Sequence, residues 1–302
     1  MKKVTFKSEG IALVGNLYYP TNFSEDKQYP AIVVSGSWTT VKEQMAGLYA
    51  AKLAQAGFVT LAFDFRNFGE SEGEPRFYES PKLKTVDIQN AVSYLTSLPE
   101  VESNQIGAFG VCAGAGYTLV AATQDTRIKS VVTTASWLHD GEAVKLFYGG
   151  EAGVEAKIQA ARAAKRIYAA NGVVEYIPAI STTDESAAMY GPYDYYLNPE
   201  RGAILEWSAD KFAVMTWEDW LTFDPTTMAK DVKVPTLMIH SDGAVLPDYT
   251  KQYFEKLGTE DKALHWVETD LESPFHQFSF YDQPEEVDLS VDKAQAWFSQ
   301  KL

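Results

Sequence analysis

The feature that most constrains this chain is a repeated pairing of a short, continuous apolar run with a longer amphipathic stretch. "AIVVSG" (31–36), "FVTLAFDF" (58–65), "IGAFGV" (106–111) and "IKSVVTTAS" (128–136) are apolar on both alternating faces, which is the signature of strands covered on both sides. Between them, "VKEQMAGLYAAKLAQAG" and "PKLKTVDIQNAVSYLTSLP" carry apolar residues at helical spacing. Ser80 and Pro81 suit an N-cap and a first turn, and a further helix is predicted from Ala113 to about Thr123. Strand, helix, strand with short links requires right-handed crossovers, so the predicted fold class is α/β, a doubly wound, mostly parallel sheet of about eight strands. "VTFKSE" and "IALVGNLYYP" read as an antiparallel pair at its start.

The rhythm stops between His139 and Lys230. That region holds an alanine-rich helical stretch, "EAKIQAARAAKRIYAANG", and a Tyr- and Trp-loaded segment, "MYGPYDYYLNPERGAILEWSADKFAVMTWEDWLTFDP". It resumes with the strand "PTLMIHSD", a helix, the strand "KALHWVET" and a closing helix. The expected organisation is therefore a core of residues 1–138 and 231–302 with a helical, aromatic-rich lid inserted at 139–230, in the position where an insertion walls a pocket at the carboxyl edge of the sheet.

Composition narrows the partners. With 26 basic and 41 acidic residues, the formal charge of −15 disfavours nucleic acid and anionic membrane surfaces. No stretch has the length of a membrane span and no signal-peptide run follows the start, so the expected location is the cytoplasm. A single cysteine excludes an intramolecular disulfide, and no Cys/His cluster has metal-ligand spacing. A homo-oligomer is compatible with this composition and not required by it.

That one cysteine stands in "GVCAGAG", Gly110 to Gly116, between a predicted strand and a predicted helix. Gly-x-Cys-x-Gly in that context has the form of a nucleophile elbow with sulfur in place of oxygen. The turn is strained, and the small residues Gly110, Ala113 and Gly114 let strand and helix backbones approach. The helix N-terminus would favour a thiolate at Cys112. The backbone amides of Ala113 and of Ser37, with Trp38 next to it, are the candidate oxyanion hole.

A cysteine nucleophile needs a base, and the base an orienting acid. Of the four histidines, His139 opens the insertion, His265 alternates within a strand and His240 stands at a strand end where the acid belongs; His276, in the loop after the last strand, is the expected base. Asp242 directly follows a strand and is preferred as the acid over Asp248. The pocket is expected to be walled by aromatic residues of the insertion, Tyr190 and Trp217 among them, with Lys42 and Arg66 as anionic anchors near its mouth.

These residues resemble a known family. "GVCAGAGY", "VKEQMAGLYAAKLAQAGFVTLAFDFRNFGESEGEPRFYE" and the closing "FYDQPEEVD" resemble the α/β-hydrolase superfamily, in its dienelactone-hydrolase-like branch with a Cys nucleophile, related to bacterial Cys-elbow hydrolases and fungal polyketide acyltransferases. The resemblance spans nearly the whole chain. It implies Cys112 as nucleophile, Asp242 as acid, and the amides of Ser37 and Ala113 as the oxyanion hole. It also implies a small-molecule substrate with a carboxylic ester, thioester or lactone group, cleaved through an acyl-Cys intermediate without metal or organic cofactor. An acyltransferase using that intermediate and a non-catalytic ligand-binding homologue are the alternatives. The chain departs from the family at two points. The loop after "AIVVSG" holds Ser37, Trp38, Thr39 and Thr40 where the family has glycines. The family's histidine lies four residues before the tyrosine of "FYD", a register filled here by Gln277, with His276 one residue earlier.

Overall fold

The computed structural model describes residues 1–302. In chain order the first half comprises β1 (Lys2–Ser8), β2 (Ile11–Tyr18), β3 (Tyr29–Ser35), α1 (Met45–Gln55), β4 (Val59–Phe63), α2 (Pro81–Thr96), β5 (Val101–Val111), α3 (Ala113–Gln124) and β6 (Ile128–Thr134). The insertion follows with α4 (Ala143–Phe147), α5 (Gly150–Asn171), the two-residue strands β7 (Tyr176–Ile177), β8 (Ile180–Ser181) and β9 (Met189–Tyr190), α6 (Asp194–Leu197), β10 (Phe212–Ala213) and α7 (Thr216–Leu221). The chain ends with β11 (Thr236–Ser241), α8 (Pro247–Lys256), β12 (Lys262–Val267), a 3-10 turn at Phe275–Phe278, α9 (Ser279–Asp282) and α10 (Pro284–Lys301).

Eight strands form one sheet in the order β1-β2-β4-β3-β5-β6-β11-β12. β1 pairs antiparallel with β2 and β2 with β4, while the other neighbours run parallel. The predicted doubly wound, mostly parallel sheet is what the chain forms, because its central strands have no face to give to water. Every residue of β4 is buried, as is every residue of β11. Helix α1 begins at Met45, later than the apolar spacing from Val41 predicts, because residues 36–44 form turns in which the Val41 N–H donates to Gln44 Oε1 and the Lys42 N–H to Asp64 Oδ1.

No strand of the insertion joins the main sheet. Its aromatic segment is tied to the loop after β3: Trp207 Nε1 donates to the Thr39 carbonyl at 3.1 Å, and Gln44 Nε2 donates to the Gly202 carbonyl at 2.6 Å. Arg201 forks onto Asp282 at 2.7 and 2.6 Å, joining the same segment to α9. The insertion is thus pinned on both sides of the carboxyl edge of β3 and β5, and a cavity lies beneath it.

The turn from β5 into α3 explains its own glycines. A Cβ at Gly110 would lie 2.6 Å from Ala115 Cα, and one at Gly114 would lie 2.3 Å from the Gly36 carbonyl oxygen. Neither contact is with a flexible side chain, so the backbone itself must move. Gly114→Ala is therefore expected to destabilise the protein by about 2 kcal/mol through overpacking, read as a lower urea midpoint at unchanged slope. An unchanged midpoint would show that the loop after β3 yields freely.

Candidate active site

Cys112 is the residue between β5 and α3, with φ 56° and ψ −121°, a left-handed backbone that a cysteine adopts only under constraint. The constraint is a set of backbone bonds. Its N–H donates to Thr134 O at 3.1 Å, and its carbonyl accepts from Trp137 N and Ala115 N, both at 3.0 Å. The side chain is 5% exposed and faces a cavity of about 460 Å³. Four donors surround the sulfur: the hydroxyls of Ser37 and Tyr281, the Ala113 backbone N–H and the Gln277 amide. Burial nevertheless outweighs them and pushes the Cys112 thiol up. The depressed pKa expected from the helix N-terminus is thereby corrected: burial favours the thiol over the thiolate.

The loop after β3 is held from below by a buried ionic cluster. Thr39, at φ 62°, donates its N–H to Glu79 Oε2 at 2.9 Å; Lys84 Nζ donates to the same oxygen at 2.8 Å, and Tyr117 Oη to Glu79 Oε1 at 2.6 Å. Ser37 Oγ lies 3.1 Å from Tyr281 Oη and accepts from Tyr196 Oη at 3.3 Å. Ser37, Trp38 and Ala113 all line the cavity with Cys112. Glu79 and Tyr281 are contributors that the sequence pattern did not single out, although Tyr281 stands in the "FYD" segment.

The expected base and acid lie elsewhere. His276 is 2% exposed, but its Nδ1 is 2.7 Å from Ser241 Oγ and its Nε2 is 3.0 Å from Glu286 Oε1. It is absent from the cavity wall, as are the other three histidines. His139 accepts from Trp137 Nε1 at 2.8 Å, and burial lowers it to about 4; His240 stacks on Trp266 at 5.4 Å and is likewise lowered by burial to about 4. Asp242 is not oriented toward a histidine: its side chain is 71% exposed and pairs with Lys251 at 2.9 Å. No Cys112-His276-Asp242 relay is assembled in this conformation.

Gln277 takes the place facing the sulfur. Its Oε1 accepts from Val245 N at 3.1 Å, and its Nε2 donates to Ala135 O at 2.7 Å and toward Tyr281 Oη at 3.4 Å. A backbone N–H can only donate and a carbonyl only accept, so these two partners fix the amide orientation, with Oε1 toward Val245 and the NH₂ toward Ala135 and Tyr281. An amide of this kind donates hydrogen bonds but cannot take a proton from a thiol or a water.

The other predicted binding residues separate. Tyr190 lines the cavity. Trp217 does not: it is 2% exposed and packs behind the wall, 4.9 Å from Phe212 and 5.2 Å from Tyr148. Lys42 and Arg66 are also corrected. Lys42 is consumed by Asp64 and Glu70, both at 2.8 Å, and Arg66 by Asp87 at 2.7 Å, with neither at the cavity. The one cation on the wall is Lys157 of α5. Its sequence signal was position, since it lies on the helix face of Val154, Ile158 and Ala161.

The fold and the strained strand-to-helix turn define an α/β-hydrolase. More particularly, the chain belongs to the family described as X-Pro dipeptidyl-peptidase (S15 family), whose model matches residues 9–268. It is similar to YcjY, an uncharacterized protein of Escherichia coli (strain K12), with 33% identity over 280 residues, 88% of this chain and 89% of that protein. The crystal structure of hypothetical protein PA2218 from Pseudomonas aeruginosa superposes with a TM-score of 0.86 at 30% identity, covering 100% of this chain and 93% of that one. Acyltransferase drtE of Aspergillus calidoustus is 35% identical over 118 residues, 39% of this chain and 38% of the relative. The expected α/β-hydrolase fold and the expected kinship with fungal acyltransferases are both found. No helix is long and apolar enough to cross a membrane.

The raised thiol has a kinetic consequence. Below its pKa the thiolate fraction of Cys112 rises about tenfold per pH unit. Alkylation of the native protein by iodoacetamide should therefore be slow at neutral pH and still accelerating above the ordinary thiol range of about 8.5. A rate that levels off below that value would show a thiolate at rest.

Proposed function

We propose that this protein transfers acyl groups through Cys112, taking small apolar or aromatic acyl groups from thioesters or activated esters and passing them to an acceptor other than water. The observation that carries this reading is that Gln277, not a histidine, faces the elbow cysteine. In the first step the sulfur attacks the carbonyl and its proton ends on the departing thiol, so R–CO–SR′ and Cys112–SH become R–CO–S–Cys112 and R′–SH. The Ala113 amide and the loop at Ser37 and Trp38 would receive the developing oxyanion, and the hydroxyl of Tyr281 adds a donor beside the sulfur.

The second step separates acceptors by how much base they need. A thiol in solution supplies its own thiolate, whereas water must lose a proton to a positioned base, which Gln277 cannot be. Amide cleavage, the chemistry in the family's description, is harder still, because the leaving amine must be protonated. That the fungal relative drtE is an acyltransferase supports this direction. A second reading is favoured by the raised thiol itself: the pocket captures a small ligand without covalent chemistry.

An aryl thioester distinguishes them. Transfer predicts release of about one equivalent of aryl thiol, followed by turnover only when a second thiol is added, with the acyl mass on Cys112. Binding alone predicts no thiol release and no mass change. Gln277→His is expected to raise hydrolysis by about 10²-fold or more if the missing base is what limits release to water; an unchanged rate would place the limit elsewhere.

A further inference from the structure

Lys157 is an exception among the protected cations of this molecule. Lys42 and Lys84 are each 1% exposed at the side chain and Arg66 9%, and all three contact a carboxylate at 2.7 to 2.8 Å. Lys157 is half-buried, lines the same cavity as Cys112, and makes no ion pair or hydrogen bond. Its Nζ instead lies 4.5 Å from the centroid of the Trp217 ring, and burial lowers its pKa. A cation–π contact offsets part of the cost of withdrawing an ammonium from water and leaves its hydrogen-bonding capacity unfilled.

The absence of a partner is the more telling because carboxylates outnumber cations, 41 to 26. Glu185, the one acidic residue on the cavity wall, is exposed and farther than salt-bridge distance from Lys157. The rest of the wall is dominated by aromatic and aliphatic side chains such as Trp38, Trp137, Tyr148 and Trp220. A net charge of −15 gives no general attraction for anions, so an anion preference would have to come from the pocket.

We propose that Lys157 is the specificity-determining cation of this pocket and that its ligand is an acyl compound with an apolar or aromatic body and an anionic group, a carboxylate in the simplest case. The carbonyl sits at Cys112 and the anion on the Lys157 ammonium. This inference rests on the acyl-binding reading of the cavity and assigns it a substrate class: half-esters, half-thioesters or other acyl derivatives of anionic molecules.

The test uses ligands without a thioester or activated ester, so that binding is read apart from the proposed transfer. Monoanilides of the dicarboxylic acids from succinic to suberic, and the methyl esters of the same compounds, are titrated into the full chain by calorimetry. The expected result is that at least one free acid binds about tenfold or more tightly than its methyl ester. In Lys157→Met that preference should disappear while affinity for the ester stays within about threefold of the unmodified protein, which also reports that the pocket is folded. Lys157→Gln provides a second variant that retains a polar end. Equal binding of acid and ester by the unmodified protein would overturn the assignment and leave the acyl pocket standing. A preference that persists in Lys157→Met would show that another group holds the anion. Binding of neither series would overturn both the assignment and the acyl-pocket reading.

Discussion

The structure is organised around one strained residue. Cys112 can hold a left-handed backbone because Thr134 of β6, Ala115 of α3 and Trp137 in the loop after β6 fix its N–H and carbonyl, and because glycines at 110 and 114 let α3 start against the loop after β3. From that turn follow the direction of α3, the exposure of the Ala113 amide to the cavity and the closeness of Ser37. The buried Glu79 cluster is the counterpart on the other side, holding Thr39 in its own positive-φ conformation through a backbone N–H bond. A carboxylate, an ammonium and a phenol buried together are stable only while all three remain paired, so this part of the site is fixed independently of any ligand.

What the turn does not determine is the base. A 3-10 turn advances about 120° per residue, so neighbours at Phe275–Phe278 face different surroundings. His276 is turned to Ser241 and Glu286, and Gln277, on the wall of the cavity that Cys112 lines, to Ala135. A shift of one position therefore exchanges an imidazole for an amide on the cavity wall beside Cys112. Under the proposed acyl transfer, such a site has hydrogen-bond donors for an oxyanion and no acceptor for a proton, which favours steps that conserve a proton between two thiols over steps that must activate water.

Much of the fold was legible because its strands are buried on both faces, and such strands leave a mark in the sequence that surface strands do not. The elbow was legible for the same reason: glycines at 110 and 114 answer to backbone contacts, not to side-chain choice. The charged residues were less readable. Lys42 and Arg66 stand in the loops after β3 and β4, where cations often meet ligands, but their partners Asp64 and Asp87 come together with them only in three dimensions. Trp217 looked like a wall because it is large and aromatic, and proves to be packing behind one. Lys157 leaves little mark in the sequence, because a lysine in an alanine-rich helix normally faces water. Only the register with Val154, Ile158 and Ala161 marks it as inward. The register of Gln277 before "FYD" was visible from the start, and the structure shows what it means for the neighbourhood of the sulfur.

The proposed transfer requires a site that can form an acyl-cysteine and lacks the means to hydrolyse it. The most direct measurement is the lifetime of that adduct: the protein is mixed with an aryl thioester, freed of excess reagent by rapid gel filtration, and followed by intact mass in thiol-free buffer at neutral pH. The expected result is an acyl mass on Cys112 that persists for hours and is discharged promptly when a small thiol is added. An adduct that returns to the unmodified mass within seconds in water alone would contradict it, since some group near the sulfur would then be acting as a base.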